Sequence, residues 1–275
     1  MVIKEFIPVT LAPERPLEGV TYLENDEQHQ TLASKIAKLK DFDFDYAVFH
    51  HQDLVIQTPE TIPSQCEMMR RDNVGIGGLI GTLCLFDSAT WWNPQRNVVT
   101  VGAILQGDGK GGSYPMLDGP GYRADAISVD GCFLILSKEF VDKYEPHDFG
   151  SWRYLYDVDA CLQCLQMGKN VAIVDVRCKH DSQGKMTADF EQARQQFLAY
   201  WKQHVTFPVI KQSEFKKSEQ SEIDKSKKIY CPATSCSRRE TCSWKVFGTI
   251  TDKIDSDTVT NELKIPPCQY TGSEK

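Results

Sequence analysis

The sequence predicts an α/β fold with a mostly parallel central sheet flanked by helices, and three observations support that prediction. Apolar runs of strand length alternate with stretches whose apolar residues recur at helical spacing, the pattern of strands joined by crossover helices. A polar cluster, His50-His51-Gln52-Asp53, closes the apolar run Tyr46 to Phe49, and open α/β sheets bind ligands outside the carboxyl ends of their strands. The 275 residues, 41% of them apolar, with a formal charge of −7, have the composition of an ordinary globule able to bury a sizeable core.

Ile3 to Thr10 reads as a first strand, stopped by Pro13 and Pro16, and Gly19 to Leu23 as a second. Glu27 to Leu39 puts Leu32, Ile36 and Leu39 on one helical face, and the strand Tyr46 to Phe49 follows. Beyond the histidine cluster, Pro59 to Arg71 suits a helix, with Thr58 as N-cap and Pro59 at its first position. Val74 to Leu85 is an apolar strand region. From Asp87 to Asp125 the text WWNPQRN, GDGKGG and LDGPG is rich in Gly, Pro and Asn without periodicity, which predicts a long loop region. Ser128 to Leu136 reads as one strand, followed by a helix beginning near Lys138. Leu155 to Met167 is a helix ended by Gly168, Val171 to Val176 the last core strand, and Ala188 to His204 a long amphipathic helix. These elements predict a domain over residues 1–205, a charged linker over 206–229, where hardly any apolar residue occurs, and a small cysteine-containing extension over 230–275.

The negative charge excludes a global attraction to nucleic acid or anionic lipid. The most apolar run, Val74 to Phe86, is too short and too glycine-rich to span a bilayer, and the N-terminus lacks the pattern of a secretory signal, so a cytoplasmic protein is expected. Cys66, Cys84, Cys132, Cys161, Cys164 and Cys178 sit in apolar or amphipathic segments and are expected to be reduced core residues. In the extension, Cys231, Cys236, Cys242 and Cys268 have the right number for a tetrahedral Zn²⁺ site or an iron–sulfur cluster. Their spacing does not match the common two-residue knuckle, and free or disulfide-linked cysteines are the alternative. Lysines and arginines between Lys225 and Lys245 make that neighbourhood locally basic. GDGKGG lacks the Lys-Ser/Thr ending of a phosphate-cradling loop and reads as a plain loop. Trp91 and Trp92 could stack on the apolar face of a bound ring or simply anchor their loop.

On residue chemistry, the histidine–aspartate cluster makes a metal-assisted site the first hypothesis, with plain loop residues as the alternative. Three segments in order, FHHQDL (Phe49 to Leu54), VDGCFLILSKEF (Val129 to Phe140) and YDVDACLQCLQMGKNVAIVDVRCKHDSQGK (Tyr156 to Lys185), resemble the glycosyltransferase A fold. They are most similar to the family 2-like glycosyltransferases, here with His-Gln-Asp in place of Asp-x-Asp. The resemblance spans roughly Val20 to Trp201.

The resemblance implies a nucleotide-sugar donor lying across the strand ends, with Mn²⁺ or Mg²⁺ bridging its diphosphate to the protein. By position Asp53 matches the aspartate that ligates the cation directly, His51 stands in place of the first aspartate, and His180 matches a histidine that completes the site. Asp157 of YDVD matches the base that takes the proton from a carbohydrate or other hydroxyl acceptor, with burial beside Tyr156 and Trp152 able to raise its pKa. Tyr156 stands where many relatives have glutamate, and Asp159 is expected to point away and support the structure. Asp130 matches an aspartate on the acceptor side, and Gly131 is expected to allow close backbone approach. Glu24 and Asp26, after the second strand, and Gln52 are the candidates for holding the donor. Without the resemblance, Asp157 reads equally as a helix N-terminal charge and Asp130-Gly131 as a turn.

These readings favour a metal-dependent transferase that inverts the anomeric carbon by a single displacement. A glycosyltransferase-like module that binds without turnover is the second reading. A transferase acting on a modified nucleic acid through its basic extension is the third, ranked last because the chain is acidic overall.

Overall fold

The computed structural model describes residues 1–11, 13–14, 16–27, 30–86, 88–90, 100–107, 113–115, 121–182, 187–206 and 209–210. Contacts divide the chain into two units, Met1–Trp91 with Val101–Lys211, and Trp92–Thr100 with Gln212–Lys275, and apart from Thr100 the second unit lies outside the described residues. The four extension cysteines therefore lie outside them too, as do Trp91 and Trp92.

In chain order the strands are β1 (Ile3–Pro8), β2 (Val20–Leu23), β3 (Tyr46–His50), β4 (Leu54–Ile56), β5 (Val74–Gly78), β6 (Ile80–Thr82), β7 (Cys84–Leu85), β8 (Thr100–Gly102), β9 (Leu105–Gly107), β10 (Ser113–Pro115), β11 (Arg123–Ala126), β12 (Ser128–Val129), β13 (Phe133–Ser137), β14 (Asn170–Ile173), β15 (Cys178–His180) and β16 (Val209–Ile210). The helices are α1 (Leu32–Lys38), α2 (Ile62–Arg71), α3 (Lys138–Val141), α4 (Tyr156–Gln166) and α5 (Ala188–Trp201). The main sheet has seven strands in the order β11-β14-β5-β13-β3-β1-β2. Neighbouring pairs β2/β1, β1/β3 and β5/β14 are parallel, while β13 runs against both β3 and β5, and β11 against β14. The sheet is thus mostly parallel with two reversed strands. The carboxyl ends of β2, β1, β3, β5 and β14 share one edge with the amino end of β13.

A core of Phe6, Ile36, Phe49, Ile76, Leu134, Phe140, Ala160 and Cys164, each fully buried, joins the sheet to α1, α3 and α4. Burial of this apolar surface is the main favourable term holding the layers together, at about 25 cal/mol per Å². The six cysteines outside the extension are buried free thiols, as their apolar settings predict.

Several elements differ from the sequence reading for identifiable reasons. Helix α1 begins at Leu32, not Glu27, because Thr31 caps it: its hydroxyl accepts from Ser34 N at 3.0 Å, and Ser34 Oγ accepts from Thr31 N at 3.1 Å. Residues Pro59–Thr61 form a 3₁₀ turn and α2 starts at Ile62; the Thr58 hydroxyl caps nothing and accepts from Arg177 N at 2.8 Å. The apolar strand region from Val74 to Leu85 resolves into three strands, each in a different sheet. The expected loop between Asp87 and Asp125 contains β8, β9 and β10, and β11 ends just beyond it; besides β10, β9 pairs with β15, a pairing no local pattern announces. The strand read over Ser128 to Leu136 is broken at Asp130, whose carboxylate accepts from Cys132 N at 2.7 Å and turns the chain out of the β12/β6 pair into β13. The strand read over Val171 to Val176 is β14, the last strand of the main sheet, and the two later strands, β15 and β16, lie in smaller sheets. Helix α4 does end as read, with Gly168 at φ +74° just past Met167.

Candidate active site

The site lies where two turns meet at the carboxyl edge of the main sheet. The first turn leaves β3: Leu54 N donates to His51 O at 3.2 Å, and β4 then pairs antiparallel with β15 so that Leu54 faces His180. That register brings His180 beside Asp53, and Asp181 N donates to Asp53 O at 2.9 Å. The second turn is Asp130–Cys132, fixed to the first by His51 N donating to Cys132 O at 2.9 Å.

Among the described residues one cluster could hold a metal ion: His51, Asp53 and His180, whose ligand atoms lie within 4.8 Å of one another. The donor set fits a divalent cation, because two imidazoles and a carboxylate suit transition metals and bonds of about 2.1 Å need ligand atoms close to this span. A second observation agrees. His180 is only 8% exposed, and its Nε2 is buried with no hydrogen-bond partner among the described residues; Asp53 Oδ1, at 3.4 Å, is in ion-pair range. A buried polar atom without a partner is costly unless something else satisfies it. Burial opposes a charge on His180, but Asp53, Asp130 and Asp181 outweigh it and raise its pKa. His180 in turn holds the Asp53 carboxylate below its ordinary value, while burial is the main reason that His51 is held lower than a free imidazole.

His50, the other histidine of the turn, plays a structural part, with Nε2 2.9 Å from Glu5 Oε1 and Nδ1 2.8 Å from His51 O. Glu5 was not foreseen, although a carboxylate within the first strand, where Phe6 and Ile7 follow it, is the signal that could have found it.

Helix α4 brings the second half of the site. Leu155, its N-cap, has φ +63°, an uncommon left-handed conformation for a leucine, and Tyr156 and Asp157 follow in the first turn. Asp157 is 9% exposed; Oδ2 accepts from Gly131 N at 3.0 Å and Oδ1 from Val158 N at 2.9 Å. Burial, then the charge of Asp130, push its pKa up to about 7. Trp152 is not part of that burial environment as expected: it is 57% exposed, with Arg153 stacked 5.4 Å from its ring. Gly131 lies against Tyr156, where a Cβ would come within 2.2 Å of Oη, so close approach does require glycine. Asp130 is half-buried, and its charge reaches His51, His180 and Asp157 alike.

Asp159 turns away from this edge. It is fully buried and accepts from Trp201 Nε1 and Gln163 Nε2, each at 2.9 Å, and pairs with His147 Nδ1 at 2.8 Å, tying α5 to α4. The structure thus brings together His51, Asp53, His180, Asp130 and Asp157. Glu24 and Gln52 are exposed, and Asp26 is engaged by Lys38 Nζ at 2.5 Å. Glu24 and Asp26 follow β2 at the same sheet edge.

The architecture is an α/β protein with an open mixed sheet, and one edge of that sheet carries a histidine–aspartate cluster that could hold a metal ion and a buried acid. The chain belongs to the glycosyltransferase-like family, whose model matches residues 25–201. No curated protein matches it. Solved structures resemble it distantly. A197 from STIV is 13% identical with a TM-score of 0.40, covering 66% of this chain and 85% of that one. A CMP:2-keto-3-deoxy-manno-octonic acid synthetase complexed with CTP is 10% identical, TM-score 0.34, covering 74% and 100%. A UDP-glucose pyrophosphorylase complexed with UDP-glucose is 12% identical, TM-score 0.33, covering 67% of each chain. No helix among the described residues is long and apolar enough to cross a membrane.

Proposed function

We propose that the protein transfers a sugar from a nucleoside-diphosphate donor to an acceptor hydroxyl, inverting the anomeric carbon. Family membership supports glycosyl transfer, and the observation that carries the site assignment is the meeting of His51, Asp53 and His180 with Asp130 and Asp157 around Gly131. His51, Asp53 and His180 would hold Mn²⁺ or Mg²⁺, with two imidazoles favouring Mn²⁺. When bound, the cation supplies Lewis-acid stabilisation of the departing diphosphate.

Asp157 is the base. A carboxyl that titrates near neutral pH is matched to removing a proton from an alcohol as its oxygen attacks carbon, whereas an ordinary aspartate is too weak a base. The main-chain N–H groups of Gly131 and Val158 fix its orientation, and Asp130 raises its proton affinity while lining the acceptor side. Glu24, Asp26 and Gln52 are assigned to the donor by their place at the strand ends, and Trp91 and Trp92 to the acceptor. One carboxylate acting on the acceptor implies a single displacement and hence inversion.

The test is release of nucleoside diphosphate from a panel of nucleotide-sugars with Mn²⁺, with and without candidate acceptors, for the wild type and Asp157→Asn. Turnover lost in the variant with donor binding intact supports the assignment. Donor binding without turnover in either protein would instead identify a binding module.

A further inference from the structure

The His51 imidazole has one hydrogen-bond partner among the described residues: its Nε2 lies 3.0 Å from the hydroxyl of Tyr156. That hydroxyl owns a single proton, and its 2.8 Å contact to the Gly131 carbonyl uses it, because a carbonyl can only accept. Tyr156 Oη is therefore an acceptor toward His51. It follows that Nε2 carries the ring proton and that the lone pair of the neutral imidazole sits on Nδ1. The hydroxyl can sit there only because residue 131 is glycine, since a Cβ would lie 2.2 Å from it. The same residue's N–H donates to Asp157, so Gly131 holds both Tyr156 and the acid beside it.

We propose that Tyr156 is a positioning residue for the cation site, its hydroxyl locking His51 in the Nε2–H tautomer so that Nδ1 is the nitrogen offered to a divalent cation. This rests on the assignment of His51, Asp53 and His180 to the cation. A hydrogen bond from the far nitrogen of a ligating imidazole to an oxygen acceptor fixes ring orientation and raises ligand basicity, and its loss typically weakens metal binding about 10–100-fold. Tyrosine at this position thus serves the histidine that stands in place of an aspartate: an aspartate has no tautomer to set, whereas an imidazole does. Phenylalanine would fill the same volume but leave His51 free to flip and to exchange its proton between the two nitrogens.

The experiment has two readouts on the full chain. Long-range ¹⁵N–¹H correlation spectra of the metal-free protein report the tautomer of His51, assigned by loss of its signals in His51→Gln. Titration with Mn²⁺ alone, followed by the electron paramagnetic resonance of the free ion, reports affinity for the wild type, Tyr156→Phe and Asp53→Ala. The expected result is an Nε2–H tautomer in the wild type, a mixture in Tyr156→Phe, and a dissociation constant about 10–100-fold higher in that variant at an unchanged circular dichroism spectrum. An Nδ1–H tautomer in the wild type overturns the proposal whether or not the variant folds. Mn²⁺ binding abolished by Asp53→Ala but unchanged by Tyr156→Phe overturns this proposal alone. A wild type that binds no Mn²⁺ overturns the cation assignment, and this proposal with it.

Discussion

Asp157→Asn should make the protein inactive and, above neutral pH, more stable relative to the wild type than it is in mild acid. The carboxyl is almost completely buried, and burial with the neighbouring charge of Asp130 pushes its pKa up to about 7 in the fold, against about 3.9 for a free aspartate. Its folded pKa is raised, so the folded state binds the proton more tightly than the unfolded chain. The stability this confers is present at low pH and is lost as pH rises toward 7. Between pH 5.5 and 8 the loss is about 1.5 pKa units at about 1.36 kcal/mol each, or about 2 kcal/mol. Asparagine carries no such term, though its amide opposes one of the two N–H donors at a roughly constant cost of about 1–3 kcal/mol. Urea unfolding of both proteins at the two pH values isolates the changing part. The variant should gain about 2 kcal/mol on the wild type between pH 5.5 and 8, and its turnover should fall by about 10²–10⁴. A stability difference that is flat with pH would refute the assigned titration, and normal turnover would refute the role as base.

Asp53→Ala should abolish saturable Mn²⁺ binding with only a modest change in the melting temperature, since Asp53 is 43% exposed and its ion pair with His180 is partly screened by solvent. Mn²⁺ affinity of the wild type should fall as pH drops through the raised pKa of His180, because a protonated imidazole cannot ligate; equilibrium titrations between pH 5.5 and 8 read this directly. Gly131→Ala should destabilise the fold by several kcal/mol in a urea melt, about the cost of a severe core clash, because its Cβ meets Tyr156 Oη. The His147–Asp159 pair gives a pH effect of its own. The Asp159 hydrogen bond raises the pKa of His147, so the pair stabilises fully below about 6.5 and loses this as pH rises past the folded value; His147→Gln should cost more at pH 5.5 than at pH 9.

The parts of the site with a local signal are those that sequence makes legible. Tyr46 to Phe49 is an uninterrupted apolar run, and the strand ends one residue into the polar cluster that follows it, at His50. Gly168 marks the end of α4 because only a residue tolerant of positive φ fits there. The break at Asp130 was hidden because Ser128 to Leu136 is apolar on both sides of it, and the Asp-Gly pair was the sole sign of the turn that shapes the site. The strands β8 and β9 were hidden because each pairs with a strand outside its own loop, β8 with β6 and β9 with β15, and β10 then adds to β9, so the signal does not lie in their own composition. The same applies to Tyr156: in sequence it is a departure from glutamate, and only the contact with His51, 105 residues away, gives it a role.

Crystals grown with Mn²⁺ and a nucleoside diphosphate, measured at a wavelength where manganese scatters anomalously, test the central claim most directly. One strong peak bounded by His51, Asp53 and His180 is expected, with the diphosphate on it and the Asp157 carboxyl facing the same cleft. A diphosphate and cation bound elsewhere, or a peak that leaves His180 Nε2 untouched, would contradict it.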